Sequence, residues 1–469
     1  MKLVAGIDSS TQSTKVLLVN ADDGTVVGEA SAPHPDGTEC PPDRWWEALT
    51  AAGRGLLERA EAVGVAAQQH GMVTVDDAGA VVRPAMLWND VKSAPQAAAL
   101  VAEFGGPSEW AARTGSVPTM SFTVTKLRWL AEREPENAAR VGRVMLPHDW
   151  LTWRLAGGGP GQGSLVEPVT DRGDASGTGY FSPADSGWLP DYAARALGHP
   201  VALPRVAAPA EIVGRTSWGA AISPGTGDNM GAALGMSLAE GDVAVSIGTS
   251  GTAYAVTSSL TADPSGLVSG FADATGRFLP LACTLNAARV LDVTARMLGV
   301  DAAGLSDLAL KASPGADGLV FLPYLDGERT PNRPSANGVL RGLTTTNATP
   351  ENLARAAVEA VLCSLADAID CLRPCGITPG RIVLTGGAAK SEAVRTIAPA
   401  VFGLPVVVPA AAEYVALGAA RQAAWALAGT ASPPPWPARP SVTCEASATP
   451  AVREQYGALR DDAAAWQEG

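Results

Sequence analysis

Asp228 stands in GTGDNMGAALG, residues 225–235, after a glycine turn and ahead of small residues at helical spacing. A carboxylate projected from such a turn can accept the proton of a substrate hydroxyl as that hydroxyl attacks phosphorus. The same position also suits a helix N-cap, which by composition alone is the commoner use. Its neighbour Asn229 can hydrogen-bond a sugar hydroxyl. Asp8 follows an apolar run from Leu3 to Ile7 and precedes hydroxyl-bearing residues, so it is placed either to hold Mg2+ through water or to cap its own turn. Small-residue turns at Ser9–Thr14, Gly248–Gly251 and Gly386–Ser391 can aim backbone N–H and hydroxyl donors at a triphosphate. AQQHGM at 67–72 and MLWNDVKS at 86–93 add Gln68, Gln69, His70, Trp88, Asn89 and Asp90. These are the amide, carboxylate and flat apolar groups that polyol recognition uses, although a single histidine or a strand-end Asn-Asp is more often structural.

Other phosphate sites are excluded by the text itself. No lysine follows a glycine, which removes the P-loop, and no Gly-x-Gly-x-x-Gly follows the first strand. The elements that must position the turns are legible from patterning. LVAGIDSSTQSTKVLLVN predicts strand, turn and strand, and DVAVSIGTSGTAYAV predicts the same unit again, so one architecture is used twice. Helices are predicted over Asp43–Ala60, over Thr123–Glu132, and from Thr349-Pro350-Glu351 to before Pro374. RIVLT, GGAAKS and EAVRTIAPAVFG read as strand, glycine loop and helix, with the strand PVVV and a helix over 412–428 following. A glycine turn at a strand's C-terminal end is where open α/β sheets bind ligands. GGGPGQGS at 157–164 reads as a surface loop. The proline-punctuated stretch 203–216 is the expected hinge, with a domain boundary near Ser217. The resulting division is 1–216, 217–435, and a proline-rich connector with a terminal helix over 436–469.

Composition narrows the class further. A chain of 469 residues that is 46% apolar can bury two cores. The net charge of −13 and the lack of a basic run disfavour a nucleic-acid partner, although an acidic enzyme can still bind a polyanion through amides and a metal. Six scattered cysteines with no Cys-x-x-Cys argue for reduced thiols. The apolar run at Leu3–Ile7 is too short for a secretory core, and the late apolar stretch contains Glu413 and Arg421. The expectation is a cytoplasmic protein without a membrane span, and a homodimer is one assembly open to it.

The quoted segments, in order along nearly the whole chain, resemble the FGGY carbohydrate kinase family, and its xylulokinase branch most. GIDSSTQSTK, PPDRWWEAL, QQHGM, PAMLWND, HDWLTWRLAG, TDRGDASGT, GTGDNMGAALG, SIGTSGT, LPYLDGERTPNRPSANG, GGAAKS and EYVALGAA carry the resemblance. It implies two α/β domains of the actin-like (ribonuclease-H-like) ATPase kind around a central cleft, with ATP and Mg2+ bound mainly by the second and sugar by the first. It further implies transfer of the γ-phosphoryl to a primary hydroxyl of a ketopentose, D-xylulose giving D-xylulose 5-phosphate. Asp228 matches the catalytic base and Asp8 the acid that helps with magnesium. Thr11, Gln12 and Lys15 match positions near the terminal phosphates, Gly248 and Thr249 the second phosphate turn, and Gly386, Gly387 and Ser391 the nucleotide-side turn. Gln69, His70, Trp88, Asp90 and Asn229 match the sugar side. Ser10 and Ala388 stand where many members have glycine, and Gln69 replaces the usual methionine, exchanging an apolar contact for a hydrogen-bonding one. That leaves another ketose, a deoxysugar or a polyol as an alternative substrate. Asp171 and Asp174 are expected to anchor a turn beside the cleft, a structural role ranked above a catalytic one. A reading of a different class, a non-catalytic actin-like assembly or chaperone protein, gives no reason for the sugar-type motifs.

Overall fold

The computed structural model describes residues 1–161 and 166–467; the end of the expected loop at 157–164 and the last two residues of the expected terminal segment lie outside the described residues. The chain divides into two compact units. The first comprises Met1–Leu238, Thr257–Leu279 and Ala412–Ala438, and the second Ala239–Val256, Pro280–Ala411 and Arg439–Gly469.

The first unit is built on a mixed sheet. Its strands are β1 (Leu3–Ser9), β2 (Ser13–Asn20), β3 (Val26–Pro33), β4 (Ala62–Ala67), β5 (Gly214–Arg215), β6 (Ala221–Ile222) and β7 (Thr226–Gly227). They run in the order β5–β6–β4–β1–β2–β3, with β7 also on β4. β1 and β4 are apolar runs almost wholly buried, as expected of parallel strands covered on both faces. Asp8 of β1 is in register with Ala66 of β4, and so is Thr226 of β7. The C-terminal ends of three adjacent parallel strands therefore deliver Asp8, Gln68-Gln69 and Asp228 to one edge of the sheet.

Helix α1 (Pro42–Gly53) brings Trp45 edge-on against Trp150 of α2 (Pro147–Leu155), with centroids 6.5 Å apart, to close the core on one face. The helix expected over Asp43–Ala60 stops at Gly53, because Gly55 turns at φ +73 and Leu57 then folds back over Gly53. Helix α3 (Asp228–Gly235) starts at Asp228 itself, after Gly227 as N-cap, so the aspartate lies in the first turn and is not the cap.

The second unit repeats the plan. Strands β8 (Asp242–Ile247) and β9 (Gly251–Ala255) form a hairpin around Gly248–Ser250. β10 (Phe278–Thr284), whose Pro280–Thr284 stretch belongs to this unit, pairs with β9. β11 (Arg381–Thr385) runs parallel to β8, as β4 does to β1, and β12 (Val406–Pro409) and β13 (Ser441–Cys444) follow outward. Helix α4 (Pro350–Leu372) opens where expected, with the Thr349 hydroxyl accepting the Asn352 N–H at 3.2 Å and Pro350 in the first turn.

The chain does not divide near Ser217. The expected hinge at 203–216 supplies β5, which pairs with β6 (Ala221–Ile222), and β6 and β7 both pair with β4, so residues up to Leu238 stay in the first sheet. Helix α5 (Tyr414–Ala428) also belongs to the first unit, where Ala416, Leu417, Ala420 and Ala423 pack under Val4 and Ala62. Glycines allow this close approach. A Cβ on Gly6 would lie 1.8 Å from the Ala416 carbonyl oxygen, and one on Gly418 would lie 1.8 Å from that of Gly231 in α3. The expected connector beyond 435 is ordered. The Trp436 indole N–H donates to the Ala21 carbonyl oxygen at 2.9 Å, and Ser441–Cys444 is β13. Among the described residues no helix is long and apolar enough to cross a membrane.

Candidate active site

The Asp228 carboxylate is anchored through one oxygen. Its Oδ1 accepts the Asn229 backbone N–H at 2.8 Å and the Asn229 side-chain N–H at 3.0 Å, which fixes the amide's orientation, since a carboxylate needs a donor facing it. The second N–H of that amide donates to Gln69 Oε1 at 2.9 Å. Gln69, Asn229 and Asp228 thus form a hydrogen-bonded row. Burial, then the charge of Asp8, push the Asp228 carboxyl up to about 7 against the bonds from Asn229.

Asp8 is only 4% exposed, and its Oδ1 has no hydrogen-bond partner. Burial raises its carboxyl to about 7, with Lys15 opposing and Glu413 assisting. Lys15 faces Asp8 across the β1–β2 register and pairs with Glu413 at 2.6 Å. A carboxylate oxygen left bare in a buried site is costly unless a cation or proton completes it. The turn between β1 and β2 is held from behind by His34, whose ring nitrogens meet Thr14 Oγ1 at 2.8 Å and the Ser10 carbonyl oxygen at 3.0 Å. Thr11 receives the Trp88 indole N–H at 2.9 Å, while Gln12 is exposed at the tip.

The groups expected on the sugar side behave differently from one another. Gln69 is 4% exposed, its oxygen is taken by Asn229, and its Nε2 is an unpartnered buried donor. His70 is at φ +67, a left-handed conformation rare outside glycine, and the structure secures it on several sides. Its carbonyl oxygen accepts from Lys126 Nζ at 2.8 Å and Thr123 Oγ1 at 3.2 Å, its Nδ1 donates to the Gly177 carbonyl oxygen at 2.6 Å, and its ring packs on Phe122 and Phe271. Trp88, 39% exposed, offers a flat face. Asp90 is fully buried, with its oxygens on the Thr38 hydroxyl and the Lys92 backbone N–H, both at 2.9 Å, so its carboxylate is engaged within the protein.

In the second unit Gly386, at φ +88, lies where a Cβ would come within 2.5 Å of the Ile247 carbonyl oxygen, so only glycine lets the β11 turn lie against β8. Gly387 is exposed with open space where a side chain would be. Ser391 caps the helix Glu392–Phe402 through a 3.4 Å bond from the Val394 N–H. Thr249 is exposed at the β8–β9 turn, and the Gly248 carbonyl oxygen accepts the Ala288 N–H at 2.8 Å.

Sequence reading missed a buried charge cluster behind Asp228. His148 Nδ1 donates to Asp174 Oδ2 at 2.6 Å, and its Nε2 lies 3.1 Å from Asp149 Oδ1 without hydrogen-bond alignment. Burial pulls this imidazole down, but the charge of Asp149 and the bond to Asp174 outweigh it and raise it to about 9. Lys126, fully buried, is pulled down to about 7 by burial, with Asp90 opposing. Polar residues inside otherwise apolar helical text, such as His148-Asp149 beside Trp150, were the available signal.

The FGGY family of carbohydrate kinases, N-terminal domain, matches residues 3–235, and its C-terminal domain matches residues 243–427. The chain is 47% identical over 444 residues to a xylulose kinase of Streptomyces coelicolor, covering 91% of this chain and 88% of that one. It is 46% identical over 447 residues to a xylulose kinase of Streptomyces rubiginosus, with the same coverage of 91% and 88%. The crystal structure of xylulose kinase from Bifidobacterium adolescentis is similar with a TM-score of 0.91 at 44% identity, covering 98% of this chain and 99% of that one.

Proposed function

Because the chain belongs to the FGGY family of carbohydrate kinases, we propose that it transfers the γ-phosphoryl group of ATP to a primary hydroxyl of a ketopentose, D-xylulose giving D-xylulose 5-phosphate. The observation that carries this reading is the Asp228 carboxyl. It projects at the C-terminal edge of the first sheet and is poised to exchange a proton near neutral pH. Phosphoryl transfer asks little covalent help of a protein. It needs an aligned hydroxyl, a base for its proton, and donors around the charge that spreads over the transferred group. Asp228 takes the hydroxyl proton, and Asn229 holds the carboxylate in one orientation by bonding the oxygen not used for that purpose.

Thr11, Gln12 and Lys15 serve the terminal phosphates, and Gly248, Thr249, Gly386, Gly387 and Ser391 serve the nucleotide. Gln69, His70, Trp88 and Asn229 meet the sugar, with Asp90 acting from beneath through Thr38 and Lys92. The residues present fit Mg2+. The bare buried Asp8 oxygen is one hard donor, and among the described residues no group of three or more His, Cys, Asp or Glu side chains could hold a metal ion by itself, which suits an ion held by one carboxylate, water and phosphates. When bound, the ion neutralises charge on the phosphates.

A second ketose or a polyol as substrate is favoured by one observation, the unpartnered Gln69 Nε2, a buried donor that asks for an acceptor oxygen. A coupled ADP-release assay across pentuloses and pentitols tests both readings. Strong stimulation by D-xylulose above the sugar-free rate is expected. Preferential stimulation by another sugar would move the assignment to that sugar, and no stimulation by any would overturn it.

A further inference from the structure

We propose that Asp171 and Gln422 are positioning residues for Asp228, a role that rests on reading Asp228 as the base. Neither is bonded to Asp228; each acts on the turn that presents it. Thr226, two residues before Asp228, donates its hydroxyl to Asp171 Oδ2 at 2.7 Å. Asp171 Oδ1 accepts the Asp174 N–H at 2.8 Å, so both oxygens of an acid that is 2% exposed are committed. Gln422, on α5 and fully buried, clasps Gly225 on both sides. Its Oε1 accepts the Gly225 N–H at 2.9 Å, and its Nε2 donates to the Gly225 carbonyl oxygen at 3.0 Å. The same Oε1 accepts the Ser223 hydroxyl at 3.1 Å.

Gly225 is at φ +81, and a Cβ there would fall 2.6 Å from His148 Cδ2 and from the Val65 carbonyl oxygen, so the turn has no slack on its remaining side. The turn is therefore pinned three and two residues ahead of the base by side chains from sequence-distant segments. Burying an acid and an amide is costly, and a turn can be satisfied with fewer such groups. Two of them converging on one short segment accords with a carboxylate whose placement counts to a fraction of an ångström.

The test compares Thr226→Val, which removes the hydroxyl at nearly constant volume, with Thr226→Ser, which keeps it, and with Gln422→Met. Sugar-dependent ADP release by the unaltered enzyme comes first, because its absence would remove the reading of Asp228 and this one together. With that activity present, Thr226→Val and Gln422→Met are expected to lower kcat by about 10- to 100-fold, leaving KM for sugar and ATP unchanged, and Thr226→Ser to restore kcat. Wild-type kcat in Thr226→Val overturns the proposal while leaving the kinase reading intact. So does a parallel loss of kcat, KM and Tm that serine does not rescue. Should Thr226→Val fail to fold, Asp171→Asn, which keeps the shape and loses one acceptor, decides by the same kcat-against-KM criterion.

Discussion

At the scale of the residue, Asp228 and Asp8 are carboxyls that burial holds near pH 7, far above where exposed carboxylates titrate. A base must be ionised to act, so kcat/KM is expected to fall as pH drops through about 7, and a pH profile of the unaltered enzyme checks this. The stability effect has the opposite sense. Below about pH 4 the folded and unfolded chains both carry the proton, and replacing Asp228 by Asn changes little. As pH rises from about 4 through about 7 the unfolded chain gives up the proton while the folded chain retains it, and the stability that came from the neutral carboxyl is progressively lost. Asp228→Asn is therefore expected to melt higher than wild type at pH 8, with the gap closing toward about pH 4, as read by thermal denaturation across pH. A variant that melts lower at pH 8 would show that the carboxylate contributes more to the fold than its burial costs.

At the scale of the element, the site depends on strands that end together and helices that approach closely. Gly418→Ala forces a methyl to within 1.8 Å of the Gly231 carbonyl oxygen, so α3 and α5 must separate. The expected cost is about 1–3 kcal/mol or more, measured by urea denaturation, together with lower turnover because α3 begins with Asp228. Trp45→Ala, which empties the contact with Trp150, is expected to cost about 3–5 kcal/mol by the same measurement. Elements with local signals were legible in the sequence: the hairpins around Ser10–Gln12 and Gly248–Ser250, and the helix opened by Thr349 and Pro350. Asp228 itself drew two readings because a glycine turn before a helix serves a cap as well as a base; only the structure shows Gly227 as the cap. His148 and Gln422 were not legible, since their partners are 26 residues away at Asp174 and 197 residues away at Gly225.

At the scale of the whole molecule, proline punctuation at 203–216 marks a change of local structure and not a change of core. Thr257–Leu279 and Ala412–Ala438 complete the first unit, and nothing in the alanine-rich text of the second of these names the sheet it covers. It follows that residues 1–238 expressed alone lack the cover over Val4 and Ala62 and are not expected to unfold cooperatively. Adding back linked 257–279 and 412–438 segments is expected to restore a cooperative transition by circular dichroism. Cooperative unfolding of 1–238 by itself would mean that α5 is an accessory.

The most direct measurement is single-turnover and steady-state ADP release by Asp228→Asn, alongside calorimetric titration with D-xylulose. Sugar binding close to that of the unaltered enzyme and a phosphoryl-transfer rate lower by at least about 10²-fold are expected. Transfer at the wild-type rate with binding intact would contradict this, and would leave Asp228 as no more than the first residue of a helix.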